Sequence, residues 1–68
     1  MSSVARVTEI TASSTTSFQD AIEKGIARAA KTLKNVEGAW IQEQKVVVQN
    51  GEIAAYRVNM KVTFILTD

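Results

Sequence analysis

The sequence predicts an α+β fold of order β-α-β-β, with one helix laid on one face of a three-stranded antiparallel sheet. Three observations lead there. Asn50-Gly51, a dipeptide suited to the two positive-φ positions of a type I′ turn, separates two extended runs. From Phe18 onward, apolar residues recur at steps of three and four. A β-branched segment precedes them.

That segment, Val4 to Thr11, reads as the first strand, with Val7 and Ile10 as its larger apolar members. The hydroxyl cluster from Ser13 to Ser17 ends it. Ser17 is the best helix cap, because Asp20 stands three residues later in capping-box spacing. A capped loop explains the cluster better than an anion site does. Phe18, Ala21, Ile22, Gly25, Ile26, Ala29 and Leu33 then form the apolar stripe of a helix of four to five turns that Asn35 ends. Gly25 weakens that helix by up to ~1 kcal/mol relative to Ala, which marks it as a point of close approach to the sheet.

Ala39 to Gln49 reads as the second strand, and the alternation from Ala54 to Leu66 as the third. An unbroken register about Asn50-Gly51 pairs Ile41 with Met60, Glu43 with Val58, Lys45 with Tyr56 and Val47 with Ala54 on the helix side. It places Trp40 with Lys61, Gln42 with Asn59, Gln44 with Arg57, Val46 with Ala55 and Val48 with Ile53 on the opposite side. Glu43 and Lys45 are thereby expected to pair with Arg28 or another helix charge. The far side is too apolar for solvent and too polar for a dry core, a mixture suited to subunit contacts or to a half-aromatic ligand.

A chain of 68 residues forms one domain, taken as residues 1–68, and buries too little surface to be stable without support. With no cysteine and no histidine, disulfides, zinc-binding thiolates, imidazole bases and the common nucleophiles are missing, so no enzyme is expected and self-association becomes the expected support. Eight basic and seven acidic residues leave a net charge of +1, too balanced for nucleic acid or a membrane surface as partner. Residues 1–12 lack the pattern of a signal peptide, and with the missing cysteines this points to the cytoplasm. No acidic spacing typical of calcium loops occurs.

Several segments together resemble the dodecin family over Val4 to Leu66: Ser13-Ser14-Thr15-Thr16-Ser17-Phe18 before the helix, Gly25-Ile26-Ala27-Arg28-Ala29 within it, Asn35-Val36 at its end, Glu43-Gln44, and Tyr56 followed by Val58, Val62 and Phe64. The resemblance implies a hollow homododecamer in which the sheet wraps the helix, and a non-catalytic role in sequestering flavins such as FMN or riboflavin. The family's ring-stacking tryptophan position falls at Gly38, and the glutamine that meets the ring's polar edge falls at Arg57. Trp40, two residues along the same strand, and Gln44 are the nearby groups able to replace those contacts, so the ligand-binding set is Gly38, Trp40, Gln44 and Arg57. Burial in a subunit interface is the commoner use of a residue such as Trp40, and remains the alternative. Lack of the stacking tryptophan, arginine after Tyr56 and an aromatic at Phe18 are similar to a smaller branch described as calcium-associated. That likeness implies calcium, another ion or an anionic ligand as the alternative occupant, with no metal-ligating residue assigned.

Overall fold

Asn50 and Gly51 adopt φ of 54° and 77°, the two positive values a type I′ turn requires, and they fold β2 (Val36–Gln49) back onto β3 (Glu52–Ile65). The computed structural model of the protein describes residues 3–67. Met1, Ser2 and Asp68, the outermost residues of the expected domain, lie outside the described residues. β1 (Ala5–Ser14) pairs antiparallel with the other edge of β3, from Ala5↔Ile65 to Ser14↔Tyr56, so the sheet order is β1-β3-β2. β1 runs three residues past the expected end at Thr11, since Ala12, Ser13 and Ser14 find ladder partners in Val58, Arg57 and Tyr56. β2 likewise starts at Val36, before the expected Ala39.

The helix α1 (Phe18–Thr32) is capped as expected, Ser17 Oγ accepting from Asp20 N at 3.0 Å. The reciprocal half of a capping box does not form. Instead Ser14 Oγ donates to Asp20 Oδ2 at 2.5 Å and accepts from Thr16 N at 2.9 Å, tying the end of β1 to the start of the helix. The Ser14 hydroxyl, then the Lys24 ammonium at 3.0 Å, hold the Asp20 carboxyl below its ordinary pKa. The helix ends at Thr32, with Leu33 as its C-cap, earlier than the expected Asn35. Asn35, at φ 62°, is the left-handed turn that aims the chain into β2, and its carbonyl accepts from Ile65 N at 3.0 Å.

Ala21 of α1 packs with Val58 and Met60 of β3, with Ile10, Ala12, Phe18, Ile22, Ile26 and Ala39 against them, and Ala29 and Val62 are buried as well. Gly25 is the close approach its position predicted: a Cβ there would collide with Met60 Cε and stand 3.0 Å from the Ala12 Cβ. Phe18 meets Tyr56 edge to face at 5.2 Å between centroids. The helix rests on β1 and β3 and scarcely reaches β2, whose far half projects with the hairpin beyond Ser14↔Tyr56, the last rung of β1.

β2 does not keep the unbroken register. Its pairing with β3 shifts between Val36 and Gly38, between Ile41 and Glu43, and between Val47 and Val48. Trp40↔Lys61, Ile41↔Met60 and Val48↔Ile53 are as expected. Between the last two shifts every pair moves by one residue, giving Glu43↔Asn59, Gln44↔Val58, Lys45↔Arg57, Val46↔Tyr56 and Val47↔Ala55. Gln42 is the extra residue of a β-bulge.

Candidate functional site

A one-residue slip exchanges the two faces of a strand, so the Gln42 bulge decides which side chains share the open face of the sheet. Cross-strand partners stand on the same side. Since Val58, Met60 and Val62 are fully buried against the helix, Gln44 and Val46 fall on the helix side of β2, and Glu43 and Lys45 on the open side with Asn59 and Arg57. The expected pairing of Gln44 with Arg57 is therefore replaced by Lys45 with Arg57. Glu43 and Lys45 do not pair with Arg28, because the sheet lies between them and the helix. The reason this was hidden is chemical: Gln42, Glu43, Gln44 and Lys45 are all polar, so either parity satisfies the hydrophobic pattern.

The open face gathers Gly38, Trp40, Glu43 and Lys45 from β2, with Thr63, Lys61, Asn59 and Arg57 opposite them on β3, and Thr11 and Ser13 opposite Asn59 and Arg57 on β1. Three of the four expected ligand-binding residues, Gly38, Trp40 and Arg57, thus share a face. Gln44 belongs by register to the other side, yet it borders the same depression of about 240 Å³ that Thr11, Glu43, Lys45, Arg57 and Asn59 line. Lys45, Glu43, Asn59 and Ser13 are additions that no spacing rule singled out. The signal available was the four-residue polar run itself, which breaks strand alternation where a bulge sits.

Trp40 is 58% exposed, an indole spread on the surface of the subunit. Gly38, one alternation away, has nothing within 4 Å of where a Cβ would stand, so the space beside Trp40 is open in the subunit. Trp40 and Gly38 lie four and six strand residues from Arg57 by the register of β3, roughly 13 and 20 Å at ~3.3 Å per residue, too far for one flat ring to touch both ends. Arg57 is oriented by its Nε, which donates to Ser13 Oγ at 3.0 Å. The side-chain oxygen of Asn59 is buried without a hydrogen-bond donor. Among the described residues, no group of three or more acidic side chains is placed to hold a metal ion, and no helix is long and apolar enough to cross a membrane.

A sequence model of the dodecin family matches residues 4–67. Among solved structures, the dodecin from Streptomyces davaonensis is similar with a TM-score of 0.94 at 35% sequence identity, with all of both chains covered. A variant of the Thermus thermophilus dodecin gives 0.92 at 25% identity, over 98% of this chain and 100% of that one. A calcium-chelating calcium dodecin from Mycobacterium tuberculosis gives 0.83 at 26% identity, over 94% and 91% of the two chains. No curated protein sequence matches the chain.

Proposed function

Because this chain belongs to the dodecin family, we propose that it is a non-catalytic, cytoplasmic homododecameric shell that binds and stores a small ligand, FMN or riboflavin being the first expectation. The observation that carries this reading is the exposed indole of Trp40 beside the open space over Gly38. An indole face is what a flat, electron-poor ring stacks on, and a glycine neighbour leaves room for it. Gly38, Trp40, Gln44 and Arg57 are the proposed contacts. The separation of Trp40 from Arg57 within one subunit makes a site shared between copies the natural arrangement.

A second reading is favoured by Arg57 and the bare Gly38: a dodecin shell that holds calcium, another ion or an anionic ligand, with no flavin. A calcium ion would need carboxylates brought together from several copies, since no group of three is placed to hold it among the described residues of one.

Titration of FMN and of riboflavin, followed by quenching of flavin fluorescence, tests the first reading against the second. Quenching in wild type, weakened at least about tenfold in affinity in Trp40→Ala, is the expected result for a stacked ring. Full quenching in Trp40→Ala would remove Trp40 from the site, and no quenching in wild type would remove flavin. Mass measurement in solution checks the dodecamer.

A further inference from the structure

We propose that the groove between the outer edge of β1 and the flank of α1 docks an extended peptide of another protein, one that carries acidic residues at alternate positions and joins the sheet as a fourth strand. This surface lies on the helix side, apart from Trp40 and Arg57, and its use does not depend on whether a flavin is stored. Backbone, space and charge meet there.

Leu66 N donates to Val4 O at 2.9 Å, and the register of β1 on β3 continues from that pair without a shift to Ser14↔Tyr56. Opposed residues in an antiparallel ladder alternate between bonded and non-bonded pairs. The even-numbered residues of β1 therefore bond to β3, while Val7, Glu9, Thr11 and Ser13 turn their N–H and C=O groups outward along the edge of the sheet. Such an edge is a template for another strand unless proline, lysine or a bulge blunts it. β1 has no proline, no lysine and no shift, whereas β2, the other edge, is interrupted three times.

Beside the β1 edge runs a groove of about 580 Å³, with Ile10 and Ala12 on the strand and the small residues Gly25 and Ala29 on the helix. Lys24, Arg28 and Thr32 stand along its helical wall at four-residue spacing. Lys24 Nζ is 3.0 Å from the Asp20 carboxylate with its side chain still 67% exposed, and among the described residues Arg28 makes no ion pair. Four residues of helix rise about 6 Å, and alternate side chains of a strand stand about 6.6 Å apart. Carboxylates two residues apart on an added strand thus match Lys24 and Arg28, and Arg28 offers one of them two parallel N–H donors. The residues between those acids face the open side, beside Glu9 and the 45% exposed Val7, where a further carboxylate would be repelled. Charge on one face only is therefore the pattern the groove selects.

The test uses the full chain, assembled as it is in solution, and a short dye-labelled peptide in which Glu alternates with Thr and Val, followed by fluorescence anisotropy. Saturable binding that weakens with salt is expected, at least about tenfold weaker in Arg28→Gln and in Thr11→Pro, which removes one outward N–H and no bond to β3. Lys34→Gln, outside the groove, should leave the affinity unchanged. Circular dichroism and solution mass establish that each variant is folded and assembled. In wild type the peptide should also slow hydrogen exchange at the Glu9 and Thr11 amides, a readout that needs no variant. Equal binding of a peptide of the same composition with its Glu residues adjacent would overturn the proposal as general attraction of charge. Failure of the alternating peptide to bind would overturn it too, and slow exchange at those amides without peptide would then assign the edge to another copy of the chain.

Discussion

A methyl group at position 25 would strike the terminal carbon of Met60 and press on the Ala12 Cβ at 3.0 Å. Two effects of Gly25→Ala compete. Helix propensity favours alanine by up to ~1 kcal/mol, whereas overpacking a core costs about 1–3 kcal/mol. Met60 is fully buried, and the Ala12 Cβ at 3.0 Å is fixed to strand β1, so the packing cost wins. The expected outcome is a net loss of about 1 kcal/mol in chemical denaturation; equal or greater stability would show that the helix does not seat where Gly25 allows it. This contact was legible in the residues, because a glycine inside an apolar helical stripe has few reasons other than close approach. The exposure of Trp40 in the subunit was legible too, from its place on the uncovered face, but its cover was not, since an isolated indole reads the same whether another copy or a ligand lies on it.

Among the elements, the hairpin and the helix were the most legible, for they carry local chemistry: two residues tolerant of positive φ at Asn50-Gly51, and a hydroxyl with an acid three residues later at Ser17 and Asp20. The bulges of β2 carry no turn or cap chemistry, and the polar run around Gln42 marks one of them without fixing which face each residue takes. Gln42 is neither glycine nor proline, and a bulge depends on what the partner strand and the helix demand of each face. Consequently the make-up of the open face was only partly legible: the register keeps Trp40 and Arg57 on it and pairs Lys45, rather than Gln44, with Arg57. The register is open to test by charge reversal. Lys45→Glu turns a like-charged cross-strand pair into an ion pair with Arg57 on the open face, and should stabilise the protein by roughly 0.2–1 kcal/mol at low salt. In the unbroken register the same change would put a carboxylate on the helix side opposite Tyr56, and a clear loss of stability would point to that arrangement.

For the whole molecule, the core is small: the fully buried large side chains are Met60, Val58 and Val62. Meanwhile Ile41 and Val46, on the helix side of β2 beyond the helix's reach, are 38% and 37% exposed, and Val48 and Ile53 near the hairpin tip are 57% and 54% exposed. Such a surface needs a cover, and other copies of the chain are the proposed one. Stability should then depend on concentration, with Tm falling by about a few degrees for each tenfold dilution; a Tm constant over two decades of concentration would mean the subunit stands alone. The position of β3 has another consequence, in time. It is the middle strand of the sheet and the last element of the four along the chain, so while a ribosome is still making it, both edge strands and the helix wait without the surface that joins them. Ala5 cannot find Ile65 until nearly every residue between them has left the exit tunnel. Folding of this unit therefore waits until β3 has emerged, and the edge strands gain their pairing only then.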